Sequence, residues 1–370
     1  MRARVCLILF ASLALACGSS EEGFVGEVTA PVVYGADDRV EVFNHPDVEL
    51  RRIAEQSIVA LIPSFRMIRD PDGTYGLFTQ ALENAQELCP GELFGNQPTA
   101  AVCSGVLIDD DLVLTAGHCI DAVTPCDSYD YVFNYHLVAQ DRLAVIRDAD
   151  VYSCTRVVSQ EAPESILPPD FAIVQLDRPV EGAKSPVVIR PATPLIEQES
   201  LTMIGFGSGL PAKIDSGGSV ADPRASELDY FVANVDAFQG HSGAATFDSQ
   251  NRLAGILIRG LAPDYVADSE DPSCNRVSVY EDSEAGEIIH NVAPIVASLC
   301  DAGEGAAALC DPTACEGEPC GSTPLPSDGP GGFPAPSADC SASTHSTGAL
   351  SGWLGLALFV AVRRFRPRAA

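Results

Sequence analysis

Three segments, in the order His, Asp, Ser, carry side chains that together could split an amide bond. In the first, Cys103-Ser104-Gly105-Val106-Leu107-Ile108 leads on to Leu114-Thr115-Ala116-Gly117-His118-Cys119. A strand pair there runs into a tight Ala-Gly turn that presents His118. A bridge from Cys103 to Cys119 would hold the imidazole on a rigid support, which general-base catalysis needs for its geometry. In the second, Asp170 heads the apolar run Phe171-Ala172-Ile173-Val174-Gln175-Leu176, so its carboxylate can be buried at a strand mouth. In the third, Gly240-His241-Ser242-Gly243, glycines flank a serine, expose its hydroxyl and leave backbone N–H groups free.

Serine is a weak nucleophile at its own pKa, so the three groups are needed together. His118 would take the Ser242 proton and return it to the leaving amine, while Asp170 would fix the imidazole tautomer and stabilise the imidazolium. The N–H groups of Gly240 and Ser242 would donate to the oxyanion, where loss of one donor costs ~3 kcal/mol. Asp177 competes with Asp170 but precedes Arg178-Pro179 at the far end of the strand. Ser216 and Ser219 also sit near glycines, and Ser242 is preferred over both. His45, His136, His290 and His345 have no companion motif and read as surface or packing residues.

The elements that must position these groups are short. Apolar runs at 102–108, 112–115, 131–138, 143–146, 171–176, 201–205, 230–235 and 253–258 suit strands separated by turn residues. Asp109-Asp110-Asp111 reads as a solvated hairpin turn. Ile288, Ile289, Val292, Ile295, Val296 and Leu299 follow helical spacing, with Pro294 marking the first turn of a closing helix. Eight or more strands and one terminal helix predict an all-β barrel or sandwich.

The chain has 370 residues, 46 % of them apolar, and 51 acidic against 22 basic side chains, for a net charge of -29. That balance argues against nucleic acid, whose phosphates require clustered Lys and Arg. Lysine occurs only at 184 and 213, and the densest basic run is Arg363, Arg364, Arg366 and Arg368.

Both ends point to export. Arg2 and Arg4 precede an apolar run that ends in Ala14-Leu15-Ala16, so residues 1–16 read as a signal peptide. Cys17 follows at once and makes lipidation an equal alternative to plain cleavage. Residues 17–31 are then a short N-terminal or propeptide segment. Ten of the thirteen cysteines (89, 103, 119, 126, 154, 274, 300, 310, 315 and 320) suit five bridges in an oxidising compartment. Cys310, Cys315 and Cys320 lack nearby histidines, so no metal site is expected there. Residues 301–339 form a Cys/Pro/Gly-rich stalk, and residues 340–370 hold Cys340, an apolar stretch at 348–362 and the arginine cluster.

The Leu-Thr-Ala-Gly-His-Cys, Asp-Phe-Ala-Ile-Val and Gly-His-Ser-Gly segments resemble the chymotrypsin/trypsin superfamily of serine endopeptidases, over about residues 32–300. Val33-Tyr34-Gly35-Ala36-Asp37-Asp38-Arg39 resembles the mature start of its bacterial glutamyl-endopeptidase branch. The resemblance implies two six-stranded antiparallel β-barrels with the triad in the cleft between them, and protein or peptide substrates, without metal or cofactor. The end of the chain resembles the C-terminal sorting signal of myxobacterial surface proteins. That implies export and surface-sorting machinery as partners, with attachment through Cys340, through lipid at Cys17 or through an ordinary membrane anchor. The expected location is the cell surface or outer membrane, with release as the alternative.

Departures from the family pattern matter. Trypsin-like enzymes carry aspartate immediately before the serine, where it pairs with a freed N-terminal amine; here His241 stands in its place. Asp236, six residues before Ser242, either matches the pocket-floor carboxylate that selects Arg or Lys, with a guanidinium able to pair bidentately, or simply faces solvent. Phe238 replaces the pocket cysteine, and the strand Gly255-Ile256-Leu257-Ile258-Arg259-Gly260 lacks the histidine with which glutamyl endopeptidases read acidic side chains. Arg259 would read an acid in its stead or neutralise Asp236. Two classes stay open: an exported endopeptidase cutting after basic residues, and a catalytically silent homologue serving as a binding or adhesion module.

Overall fold

Largely apolar runs account for the most buried strands, such as Ile58–Pro63, Leu112–Thr115 and Phe171–Leu176, in the computed structural model of the protein, which describes residues 33–162, 169–260 and 262–310. The leader, Cys17, most of the stalk, Cys340 and the tail lie outside the described residues. A short strand β1 (Arg39–Glu41) and helix α1 (Val48–Gln56) come first. Asp47 caps α1, its carboxylate accepting the N–H groups of Glu49 and Leu50, and Leu50, Ile53 and Ala54 turn inward.

Six strands then close a barrel: β2 (Ile58–Pro63), β3 (Cys103–Asp109), β4 (Leu112–Thr115), β5 (Tyr129–Val132), β6 (Val151–Glu161) and β7 (Phe171–Leu176). Their order around it is β5-β6-β7-β4-β3-β2, with β2 pairing back to β5. Every residue of β3 and β4 is buried, because one face fills the barrel and the other packs against neighbouring elements. Side chains buried to this degree contribute roughly 1.5–3 kcal/mol each when large and apolar.

The second half is an eight-stranded sheet rather than the expected second six-stranded barrel. It adds β8 (Thr202–Gly205), β9 (Lys213–Asp215), β10 (Val220–Asp222), β11 (Tyr230–Ala233), β12 (Ala245–Phe247), β13 (Leu253–Arg259) and β14 (Glu287–Asn291) to β1. Their order is β10-β11-β14-β13-β12-β8-β9-β1. One apolar core joins the halves, since Ile204, Phe206, Phe247 and Ile256 share it with the strands of the first barrel.

Helix α2 (Val292–Asp301) closes the domain, with Pro294 in its first turn and Asn291 capping it through Ala293 N–H. The helical reading of Ile288 and Ile289 is corrected: both belong to β14, which runs straight into α2. The expected strand at 131–138 is also shorter, since β5 ends at Val132 and Asn134 turns the chain at a φ of 62°.

Among the described residues eight cysteines form four disulfides: Cys89–Cys274, Cys103–Cys119, Cys126–Cys154 and Cys300–Cys310. Cys315 and Cys320 lie outside the described residues. The Cys103–Cys119 bridge closes a loop of 16 residues, and in the chain-entropy picture such a loop is worth about 3 kcal/mol.

Candidate active site

The hairpin β3-β4 and strand β7 lie side by side in the barrel, because β4 pairs with both. His118 follows β4 on a single 3-10 turn, Gly117–Cys119, and Asp170 immediately precedes β7. The pairing of Thr115 with Ala172 therefore brings the histidine turn onto the aspartate. Asp170 is 4 % exposed and grips the turn at two points. Its Oδ1 accepts the backbone N–H of His118 at 2.9 Å, and its Oδ2 lies 2.7 Å from His118 Nδ1. The other imidazole nitrogen, Nε2, lies 2.8 Å from Ser242 Oγ. His118 is exposed to solvent and Ser242 is half-buried.

Ser242 arrives from the second sheet, on the turn that leads into β12. Ser104, a fully buried residue of β3 that sequence reasoning passed over, locks this turn to the barrel. Its backbone N–H donates to the carbonyl of Ser242 at 2.8 Å, and its Oγ donates to the carbonyl of Gly240 at 2.8 Å. The same Oγ accepts the N–H of Phe206 at 3.0 Å. A serine in an apolar strand gives no signal in sequence, because only its partners across the fold reveal its work.

The turn itself depends on glycine. Gly240 adopts a φ of 101°, and a side chain there would meet the Phe206 carbonyl at 2.7 Å, so only glycine suits the position. Ser208 N–H donates to Gln239 O at 2.6 Å. Among the described residues the N–H groups of Gly240 and Ser242 donate no hydrogen bond.

A cleft of about 600 Å³ opens beside these groups. His118, Asp170 and Ser242 line it, together with Phe238, Arg259, Pro263, Asp264 and Tyr265. Arg259 is exposed and lines the cleft. Asp236 does not. It is 3 % exposed, and its carboxylate accepts the backbone N–H groups of Tyr34 and Asp38, both at 3.0 Å. Burial, and next the Asp215 carboxylate, push its pKa well above the usual range. The reading of Asp236 as a pocket floor is therefore corrected: it fastens the segment 33–39 to the second sheet. Val33, fully buried, packs against Phe238 in that arrangement.

A second acid beside Asp170 lines the cleft: Asp264, half-buried on the loop after β13. Its Oδ2 accepts the N–H of Gln239 at 2.7 Å, which ties this loop to the serine turn. Burial raises its pKa to about 6. No periodic pattern surrounds Asp264 in sequence, and its loop offered no signal. Gln86 and Asn275 reach the same cleft, with Asn275 Nδ2 donating to Gln86 O at 2.8 Å near the Cys89–Cys274 bridge. Among the described residues no three His, Cys, Asp or Glu side chains come together as a metal site. No helix among them is long and apolar enough to cross a membrane.

Residues 103–256 match the family model of the trypsin-like peptidase domain. No curated protein matches the chain. Among solved structures, kallikrein-related peptidase 10 is similar at 18 % identity, over 55 % of this chain and 90 % of that one, with a TM-score of 0.37. A Glu endopeptidase in complex with MPD is similar at 13 % identity, over 74 % and 99 %, with a TM-score of 0.42. The scabies mite inactivated protease paralogue S-D1 is similar at 12 % identity, over 55 % and 88 %, with a TM-score of 0.40.

Proposed function

We propose, for a chain whose residues 103–256 match a trypsin-like peptidase domain, that it is an exported serine endopeptidase working through Ser242, His118 and Asp170. The observation that carries this reading is the continuous chain of contacts from Ser242 Oγ to His118 Nε2 (2.8 Å) and from His118 Nδ1 to Asp170 Oδ2 (2.7 Å). In the proposed reaction Ser242 Oγ adds to the carbonyl carbon of the peptide bond as its proton passes to His118 Nε2. Asp170 holds the proton on Nδ1 and stabilises the imidazolium. The carbonyl oxygen, now an anion, takes hydrogen bonds from Gly240 and Ser242 N–H. The imidazolium then gives its proton to the leaving amine, the carbon–nitrogen bond breaks, and an acyl-enzyme ester remains on Ser242. Water, deprotonated by His118, frees the acid and restores the hydroxyl.

A fluorophosphonate probe tests this reading, because it modifies only a serine that a neighbouring base has activated. Labelling of the full chain at Ser242, absent from Ser242→Ala, supports it. A folded protein that takes up no probe would be a binding module instead.

Four disulfides among the described residues fit an extracellular protein. Export through residues 1–16 and attachment through Cys17 or residues 340–370 complete the proposal, and those segments lie outside the described residues.

Cleavage after basic residues is the favoured specificity, with Asp264 in the part first given to Asp236. Its support is a carboxylate in the cleft flanked by Pro263 and Tyr265, so that the stem of a Lys or Arg would pack on apolar groups. The net charge of -29 also attracts cationic chains. Asp264→Asn is expected to lower kcat/KM for Arg and Lys at the cleaved position by about 10–100-fold, the worth of one charged hydrogen bond. Cleavage after Leu or Ala should change little, and a peptide library reads both. With a folded-state pKa of about 6, Asp264 is charged above that pH and neutral below it. The preference for basic residues should therefore weaken as pH falls through 6.

A further inference from the structure

His241, immediately before the nucleophile, is 2 % exposed and takes no part in the proton transfers above. Its side chain instead closes the serine turn on itself. Nδ1 accepts the backbone N–H of Phe238 at 3.1 Å, while its own backbone N–H donates to Phe238 O at 2.9 Å. One residue thus ties position 238 from both its side chain and its main chain. Its carbonyl accepts Ala244 N–H at 2.6 Å, which carries the constraint past Ser242.

The ring lies in a slot left by two glycines. A Cβ on Gly207 would stand 2.5 Å from its Cε1, and one on Gly205 would stand 2.9 Å from its Cδ2. The Phe238 ring meets it edge-on at 6.3 Å. The imidazole therefore has one place to sit, and the turn has one shape around it.

Burial pushes the pKa of His241 down to about 3, with Arg39 and Lys213 adding to the effect. Both cations are occupied elsewhere, Arg39 by Asp37 and Lys213 by Glu41 and Gln97. A neutral imidazole protonated on Nε2 keeps a lone pair on Nδ1 for Phe238 N–H. A carboxylate in this position would need a cation of its own.

Resting on the proposed hydrolase reading, we propose that His241 is a positioning residue. Its uncharged Nδ1 holds the turn so that Gly240 and Ser242 N–H converge on the oxyanion, without any ion pair. Its effect falls on the transition state, where the anion exists, rather than on substrate binding.

Two variants of the full chain test this. His241→Leu keeps the bulk and removes the acceptor; His241→Asn offers Oδ1 to the same N–H. His241→Leu is expected to lower kcat by ~10²–10³, the loss seen when an oxyanion donor is removed, with KM within about threefold. Affinity for a peptide boronic acid, which forms a tetrahedral adduct on the serine, should fall in parallel. His241→Asn should recover kcat to within about tenfold of the parent. A His241→Leu protein with unchanged kcat overturns the proposal, as does an equal loss in both variants when both melt like the parent.

Should His241→Leu fail to fold, nitrogen-15 resonances of the unsubstituted protein decide. The neutral Nε2–H form across pH 5–8 is expected, and an Nδ1–H tautomer or an imidazolium overturns the proposal. The fluorophosphonate experiment separates the two levels. A parent protein that is not labelled removes the hydrolase reading, whereas a labelled parent with a fully active His241→Leu variant removes only this inference.

Discussion

Replacing Ser242 by alanine is expected to lower kcat for peptide hydrolysis by about 10⁵–10⁶-fold, the scale on which loss of a nucleophile that acts together with its base is felt. The fold should not notice. Ser242 Oγ makes its hydrogen bond to His118 Nε2 in the cleft, while the turn is held by the carbonyls of Gln239, Gly240 and Ser242 and by His241. Alanine leaves all of these in place and buries no unpaired group. Steady-state kinetics beside a thermal melt checks both halves. A residual rate within tenfold of the parent, with the melt unchanged, would remove Ser242 from the chemistry.

Asp170→Asn should cost about 10⁴-fold in kcat with little change in KM, through the tautomer rather than through shape. Asp170 Oδ1 receives the backbone N–H of His118 while Oδ2 faces Nδ1. An asparagine must offer its one oxygen to the backbone N–H, so its amide NH₂ turns toward Nδ1. The imidazole then accepts at Nδ1 and carries its proton on Nε2, the nitrogen that faces Ser242 Oγ. A ring in that state cannot take the serine proton. Kinetics at pH 7 reads the loss. A variant retaining more than a tenth of the parent kcat would show that the pairing is structural only.

The parts of this site that were legible in sequence are those whose neighbours in the chain declare them. His118 stands at the end of an apolar strand on a small-residue turn, Asp170 heads another, and glycines bracket Ser242. The hairpin β3-β4 and strand β7 are buried on both faces, so their unbroken apolar runs end close to their true limits. Strand β6 was missed because its alternate residues are exposed and polar, and Val-Tyr-Ser-Cys-Thr-Arg mixes both kinds. The β14-α2 junction misled for another reason. Ile288 and Ile289 belong to a strand, yet they fall by accident into the helical series that Val292, Ile295, Val296 and Leu299 begin.

Asp236 shows where counting from a motif stops helping. Six residues from the serine is a distance along the chain, and the fold turned that carboxylate toward the N–H groups of Tyr34 and Asp38. Asp264 and Ser104 act through partners far off in sequence: Asp264 sits 25 residues from Gln239, and Ser104 sits 136 from Gly240. No local pattern can announce such pairs.

The Cys89–Cys274 bridge spans 185 residues of chain, and His118, Asp170 and Ser242 all fall inside that span. A single cut anywhere between the two cysteines leaves two fragments that remain one covalent particle. Nicking would then pass unseen on a gel run without reductant, and a clipped molecule would keep His118, Asp170 and Ser242 in one particle.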